Sequence, residues 1–540
     1  MKVEIYDTTL RDGAQGAGIA FTTEDKLKVI RALDELGADY IEAGYYTASA
    51  ADSAQLRRTA AVPLKRAALT VFCGTRHPTI ECKDDPALSA LAAEETMKTV
   101  CIFGKSWLYH VDVVLRTTPG ENLAMISDTV RYLRAAGKRV FYDAEHFFDG
   151  YRDDPDYALK TLRAAHSAGA ERIVLCDTNG AMLPDFIRQV TAEVKKHLPD
   201  AVLGIHCHND IGMAAASSIA AVMAGAEQVQ GTICGFGERC GNANLNTLIP
   251  LLRVKLGYDC LSDEGLRLLT RKAREICEVA NRPFNENEPF VGGYAFAHKA
   301  GMHIDAVLKS PPSFEHMDPE LVGNVRSMPL SALSGRSALL AAIRSAGLDT
   351  DIERDNPKLR EALNLLRSRE ARGVSYEDAG ASLALVLRDI LHGSRRHFEL
   401  VKYHINITEG HGDDDNVAIA TVKIRVGDEC ALTAAEGNGP VNALDLALRL
   451  ALTRFYPEAG EARLTDYRVR VLDSTQTTAS QVRVVIESTD GESVWRTVGV
   501  SADIIDASWQ ALSDAYEYML SRRDDSLVSI GENILGQLNG

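Results

Sequence analysis

From Met1 to about residue 257 the chain keeps alternating a short β-rich run with a longer amphipathic stretch that reads as a helix. The runs are Val3–Asp7, Tyr40–Gly44, Ala67–Phe72, Lys98–Phe103, Arg139–Asp143, Arg172–Cys176, Val202–His208 and Gln228–Ile233. Eight strand–helix units over roughly 250 residues predict an α/β fold, a TIM (β/α)8 barrel, over an open doubly wound sheet. No G-x-G-x-x-G follows the first run, so dinucleotide binding has no support. Gly37-Ala38-Asp39, Gly169-Ala170-Glu171 and Gly225-Ala226-Glu227, with Gly137 as a looser fourth, stand just before strands, where a glycine ends the preceding helix.

A barrel places active residues at the C-terminal ends of its strands. Those ends carry Asp7 to Asp12 with Arg11, then Glu42, Glu145, Asp177-Thr178, His206 and His208, with Asn242 in the loop after the eighth run. His206 and His208 sit at i and i+2 of a strand, so both imidazoles share a face. A pair of hydrogen-bonded core histidines is the plain alternative. Asp12, His206, His208 and Asn242 form an oxygen/nitrogen donor set without thiolate. Such a set suits Mg²⁺, Mn²⁺, Zn²⁺ or Co²⁺ and leaves positions for a bidentate 2-oxo acid, whose ketone the metal would polarise. Arg11 would stabilise the resulting alkoxide, unless its role is a salt bridge to Asp7 or Glu42. Thr178 can hydrogen-bond the substrate carboxylate. The glycines between Gly231 and Asn244 are expected to let backbone approach a ligand.

Charge and cysteine usage narrow the partners. A net charge of -16 argues against nucleic acid or an anionic membrane as a main partner. No apolar run approaches the roughly 18 residues of a membrane span. The start, Met1 to Asp7, is charged and does not read as a signal peptide. Ten cysteines without C-x-x-C spacing read as reduced thiols, which points to the cytoplasm.

Three motifs, Asp7-Thr8-Thr9-Leu10-Arg11-Asp12-Gly13-Ala14-Gln15, the run His206–Asp210 and the loop Gly235–Asn244, come in an order that resembles the metal-dependent Claisen-type acyltransferases. That family contains the 2-isopropylmalate, homocitrate and citramalate synthases, related to acyl-CoA lyases on the same barrel. The resemblance implies Asp12, His206, His208 and Asn242 as metal ligands, and Arg11 and Glu42 as the charged pair of the site. It implies that Ala300–Asp305 reaches over a partner subunit's barrel, where His303 helps deprotonate the methyl of acetyl-CoA with Glu145 assisting, and Asp305 contributes to binding acetyl-CoA. Ala14 stands where many members have Glu, and Ser217 where many have Asn. Within the family, the Arg11–Gln15 stretch and Phe141–Phe148 favour the branch that uses pyruvate, with bulky aromatics suiting a small substrate. The alternatives are 2-oxoisovalerate as substrate, an acyl-CoA lyase, and a non-enzymatic amino-acid sensor on a degenerate barrel.

The remainder reads as two further regions. A catalytic barrel over 1–275 is followed by helical linker subdomains over 276–395, broken early by prolines, with helices at Leu359–Arg372 and Tyr376–His392. Residues 396–540 read as an α+β module with a weak internal repeat. Its strands are Phe398–Ile407, Ala418–Val426 and Glu429–Glu436 before a helix at Pro440–Phe455, then Leu464–Val471, Gln481–Ser488 and Ser493–Val500 before Ala502–Arg522. Such a repeat suggests a pocket between its halves. The resemblance implies a regulatory module that binds an end-product amino acid, isoleucine, in a homodimer; a plain dimerisation domain is the alternative.

Overall fold

The computed structural model describes residues 1–523 apart from 48, 299–300, 328–338, 341–342, 344–347, 349–351, 354, 394–395, 409–416, 473–479 and 492. The chain forms two compact units, Met1–Ala295 with Pro319–Asn324, and Phe296–Asp318 with Val325–Gly540.

In the first unit, β1 (Glu4–Asp7), β2 (Tyr40–Tyr45), β3 (Ala68–Gly74), β4 (Thr99–Lys105), β5 (Arg139–Glu145), β6 (Arg172–Asp177), β7 (Leu203–Cys207) and β8 (Gln228–Gly231) make a closed parallel barrel. β1 closes it, pairing Tyr6 with Tyr40 on one side and Glu4 with Gln228 on the other. The helices between strands are bounded as local chemistry dictates. Thr22 and Asp25 form a capping box, and Pro119, Pro155 and Pro184 open their helices. Gly37, Gly169 and Gly225 take left-handed φ angles of 101°, 102° and 112°, where a Cβ would be strained.

The strand ends depart from the sequence reading by two residues or fewer. β4 and β5 run on to Lys105 and Glu145, which stand in register. β7 stops at Cys207 because His208 leaves the ladder to form an isolated bridge with Asn242. The two ends of the barrel are differently filled. At the N-terminal end Arg172 makes two bonds to Glu4 (2.9 and 2.8 Å), Gln228 donates to the same carboxylate (3.2 Å), and Arg139 binds Glu171 (3.0 Å). Tyr6, Tyr40, Cys101 and Phe141 pack above them inside the barrel.

In the second unit the helices Pro357–Ala371 and Gly380–His392 precede a repeat. The latter starts four residues later than its sequence pattern suggests, because Tyr376 and Ala379 are buried in a bend that follows left-handed Gly373. β9 (Glu399–Thr408), β10 (Val417–Val426) and β11 (Glu429–Gly437) lead to the helix Pro440–Leu452. β12 (Arg463–Val471), β13 (Val482–Thr489) and β14 (Val494–Ser501) lead to Ile504–Arg523. Each triplet is an antiparallel meander, and the two helices share one apolar core with Trp495. The halves also repeat a hydrogen bond. Thr433 Oγ1 on β11 donates to Ala447 O, and Thr497 Oγ1 on β14 donates to Ala511 O, each at 2.7 Å. Among the described residues no helix is long and apolar enough to cross a membrane.

Candidate metal centre at the barrel rim

β1 runs into a turn at Thr8–Asp12 that folds back over the barrel mouth. Asp7 fixes this turn by accepting from Thr9 N and Thr9 Oγ1, both at 2.9 Å, while Ile233 N donates to Thr9 Oγ1 (2.9 Å). Burial pushes the Asp7 carboxyl up to about 7 despite those donors. The turn delivers Arg11 and Asp12 to the mouth. Arg11 Nε donates to Glu42 Oε2 (2.6 Å), its Nη1 lies 3.1 Å from Asp12 Oδ2, and its guanidinium stacks 3.8 Å above the Phe72 ring. Glu42, fully buried within β2 and three residues short of the strand end, also accepts from Tyr6 Oη and Thr8 Oγ1, both at 2.6 Å. Arg11 thus pairs with Glu42 and Asp12, not with Asp7.

His206 and His208 present their Nε2 atoms to each other at 3.3 Å, and these lie 3.4 and 3.7 Å from Asp12 Oδ2. Asp12, His206 and His208 place one donor atom each within 4.8 Å of one another, and all three are buried. His206 Nδ1 contacts Gln230 Oε1 (3.0 Å), Gln230 Nε2 donates to Asp143 Oδ1 (3.2 Å), and Cys101 Sγ donates to the same oxygen (3.0 Å). Gln230 Oε1 accepts from a proton on His206 Nδ1, and although burial alone would lower this imidazole, the Asp12 carboxylate at its Nε2 raises it above its ordinary value. Burial by itself would raise the Asp12 carboxyl, but Arg11 and the two imidazoles hold it well below the usual range. Burial, then the neighbouring His206, depresses His208 to about 4, so it is neutral at pH 7.

The loop after β8 completes the cluster. Ala243 N donates to Cys207 O (2.9 Å) and Asn209 N to Gly241 O (2.9 Å), zipping the loop to the end of β7. Asn242 Nδ2 then donates to Asp12 Oδ1 (3.1 Å) and Phe236 O (3.0 Å). Among the described residues, its Oδ1 and His208 Nδ1 are buried without hydrogen-bond partners. The glycines serve the loop's own packing more than the expected approach to a ligand. A Cβ at Gly241 (φ 86°) would meet Gly235 O at 1.9 Å, and one at Gly237 would meet Asn242 Nδ2 at 2.3 Å. Arg239 clamps the loop from outside, binding Asp210 through Nε and Nη2 (2.7 and 2.9 Å) and Thr178 O (2.8 Å).

Of the residues singled out in the sequence, Arg11, Asp12, Glu42, His206, His208 and Asn242 come together. Glu145 ends β5 elsewhere on the rim in an ion pair with Lys105 of β4, which the sequence reading missed along with Gln230, Asp143 and Arg239. Thr178 Oγ1 accepts from His146 N (2.9 Å), which leaves its hydroxyl proton free to donate. His303 and Asp305 lie in the second unit on the helix Gly301–Lys309. There His303 is exposed and stacks on Phe314 (4.3 Å), and Asp305 pairs with Lys309 (2.6 Å); Ala300 falls outside the described residues. Ser217 is buried in the helix after β7, and Ala14 sits in the turn Gly13–Gln15. Phe141, Tyr142, Phe147 and Phe148 are fully buried core residues, so the aromatics beside Arg11 are instead Phe72, Phe103 and Tyr45.

Comparison with known proteins matches three family models: HMGL-like over residues 2–273, homocitrate synthase post-HMGL domain-like over 290–367, and LeuA allosteric (dimerisation) domain over 379–520. The chain is 45% identical to the (R)-citramalate synthase of Aquifex aeolicus (strain VF5), covering 97% of this chain and 99% of that one. It is 47% identical to the (R)-citramalate synthase of Synechocystis sp. (strain ATCC 27184 / PCC 6803 / Kazusa), covering 96% of each. Identity to the 2-isopropylmalate synthase of Aquifex aeolicus is 31%, over 97% of each chain. With an HMGL-like barrel, a LeuA-type C-terminal module and this spread of identities, the chain belongs to the (R)-citramalate synthase family of acyltransferases.

Proposed function

We propose that this chain condenses acetyl-CoA with pyruvate to give (R)-citramalate and free CoA, using a divalent cation held by Asp12, His206 and His208 with Asn242 completing the set. The observation that carries the reading is the convergence of a carboxylate and two imidazole nitrogens, all buried, beside an anchored guanidinium. The fit is chemical: the donors are oxygen and nitrogen, His208 is held neutral, and Asn242 Oδ1 is buried and lacks a partner. A cation bound there would act as a Lewis acid on the substrate ketone. Mg²⁺, Mn²⁺, Zn²⁺ and Co²⁺ all suit the donors.

The chain's own groups supply the rest. Arg11 is fixed by Glu42 through Nε and by stacking on Phe72, which leaves N–H donors of its guanidinium for the oxygen that gains charge as the carbon–carbon bond forms. Thr178 offers its hydroxyl proton to the substrate carboxylate. Phe72 and Phe103, stacked at 5.0 Å with Tyr45 edge-on, favour an oxo acid with a short side chain. His303 as the base for the acetyl methyl, with Glu145 assisting, is supported by family likeness; an ordinary histidine titrates near working pH. Asp305 as an acetyl-CoA contact has the same support. The C-terminal module is read as the seat of homodimerisation and of inhibition by isoleucine, and the free cysteines fit a cytoplasmic enzyme.

A thiol-release assay across 2-oxo acids tests the assignment. Pyruvate is expected to show the highest kcat/KM, and a higher value for 2-oxoisovalerate would move the chain to the 2-isopropylmalate reaction. His303→Ala should lower kcat with little change in the KM for pyruvate; unchanged kcat would remove it as the base.

A further inference from the structure

In the proposed reaction a thioester is hydrolysed after the carbon–carbon bond forms. That step needs a base for water, besides the base that takes a proton from the acetyl methyl. His146 stands between β5 and the helix Phe147–Asp153, with φ 55° and ψ 32°. This is the left-handed region, which residues with a side chain seldom adopt and which gathers at functional sites. Its main-chain N donates to Thr178 Oγ1 (2.9 Å), just past the end of β6. β6 lies beside β7, Cys176 facing His206 in the register, and Arg239 of the loop after β8 donates to Thr178 O (2.8 Å). His146 therefore sits on the same rim as the metal cluster, on the far side of Thr178.

The imidazole of His146 is held from two sides. Its Nδ1 faces Asp149 Oδ2 at 3.4 Å. Asp149 is buried and is itself fixed by Asn179 Nδ2 (2.9 Å) and Arg152 Nη2 (3.3 Å). The helix carrying Asp149 presses on the segment after β4, where a Cβ at Gly150 would meet Ser106 O at 2.2 Å. That segment continues into Trp107 and His110. The His110 ring packs 4.2 Å from that of His146, and Trp107 stacks on His110 at 5.1 Å. Burial, then the neighbouring His146, holds His110 below its ordinary value, so it offers an uncharged face at pH 7. His146 Nε2 has no hydrogen-bond partner among the described residues. A carboxylate behind Nδ1 and a bare Nε2 is the arrangement of a base whose tautomer and direction are fixed. The neighbouring Glu145 carboxylate is occupied by Lys105.

We propose that His146 is the base for hydrolysis of the condensed thioester, with Asp149 as its positioning residue; this rests on the condensation proposed above. A water gives a proton to His146 Nε2 as its oxygen bonds to the thioester carbonyl carbon. The carbon–sulfur bond then breaks, and the imidazolium returns that proton to the leaving sulfur. The products are a carboxylic acid and the CoA thiol, and water is the one added reactant. Methyl deprotonation stays with His303 and water activation falls to His146, so mutation should separate the two steps.

Rapid-quench mass spectrometry of the full-length protein, with divalent metal, acetyl-CoA and pyruvate, tests this by counting condensed thioester and free CoA separately. His146→Asn is the first variant, because asparagine tolerates the left-handed backbone. It is expected to form the thioester within about threefold of the parent rate and to release CoA about a hundred- to ten-thousandfold more slowly, so that the thioester accumulates. Asp149→Asn should accumulate it to a smaller extent, and carries the test if circular dichroism shows His146→Asn unfolded. A histidine with a packing role alone would slow condensation and CoA release in step. The proposal is overturned by that result, or by a folded variant that releases CoA at the parent rate. If the parent protein prefers another 2-oxo acid, the reading of the substrate fails. The ratio of thioester to free CoA, measured on that acid's adduct, then decides the role of His146 in the same way.

Discussion

The two ends of the barrel are built from the same residue types and put them to opposite use. At the N-terminal end Glu4, Arg172, Gln228, Arg139 and Glu171 are joined by ion pairs and hydrogen bonds, Arg172 meeting Glu4 through two of them, and Gln228 Oε1 is left buried without a hydrogen-bond partner among the described residues. At the C-terminal end Arg11, Glu42, Asp12, His206 and His208 are just as close, and Asn242 Oδ1 is buried beside them without a hydrogen-bond partner among the described residues. What separates the ends is the donor chemistry: a carboxylate and two imidazole nitrogens converge at the C-terminal end, whereas oppositely charged side chains pair off at the other. One end closes the barrel, and the other holds donors in readiness.

That contrast is open to attack by mutation. His206→Ala should give the largest effect, lowering kcat/KM by about three orders of magnitude or more while circular dichroism shows a folded barrel, since a metal's polarising effect amounts to several kcal/mol. Full activity would erase the distinction between the ends. Arg11→Gln should damage both properties, because it leaves Glu42 buried beside no cation; a loss of about 3–5 kcal/mol in stability is expected along with most of the turnover. Unchanged melting would show that Glu42 does not depend on the pair. Gln230→Leu removes the acceptor that fixes His206, and apparent affinity for the activating metal should fall about 10- to 100-fold. Arg172→Gln, at the closed end, should cost about 1–3 kcal/mol in chemical denaturation and leave kcat/KM within twofold; a large kinetic effect would tie the floor to catalysis.

The smallest effect concerns pH, where the ends differ in sign. The Arg172 pair, together with burial that works against it, leaves Glu4 below its ordinary value, so its contribution is present above about pH 4 and is lost as pH falls. Asp7 is raised to about 7 by burial, so the folded state holds its proton and stability falls as pH rises from about 4 to 7. Asp7→Asn should therefore gain a few degrees in melting temperature over the parent protein between pH 5 and 7.5, and the Arg172→Gln protein should lose its disadvantage at low pH. A constant difference across that range would contradict the assignment of Asp7.

Much of this was legible in the chain itself. The alternation of β-rich runs and amphipathic stretches located all eight strands, since period and punctuation are local properties. The left-handed glycines at 37, 169 and 225 were readable for the same reason, as was the repeat in the C-terminal module. His206 and His208 were readable because spacing on a strand fixes the shared face. What escaped notice depends on closure. Gln230 and Asp143 meet behind His206 across a sequence separation of 87 residues, and Lys105 meets Glu145 because two neighbouring strands happen to end together. The aromatic run Phe141–Phe148 pointed to a small substrate, but where its rings lie was not legible, because no local pattern says which side of the barrel wall a fully buried ring faces. His303 rests on likeness to a family, as nothing in its surroundings along the chain distinguishes it from any exposed histidine.

The central claim is that Asp12, His206 and His208 together hold a divalent cation that turnover requires. Elemental analysis paired with a chelation and add-back assay tests it most directly. The parent protein should lose thiol release from acetyl-CoA and pyruvate on chelation and regain it with a divalent metal, while His206→Ala should retain no stoichiometric metal and recover nothing. Undiminished turnover in a protein shown to be metal-free would contradict the account.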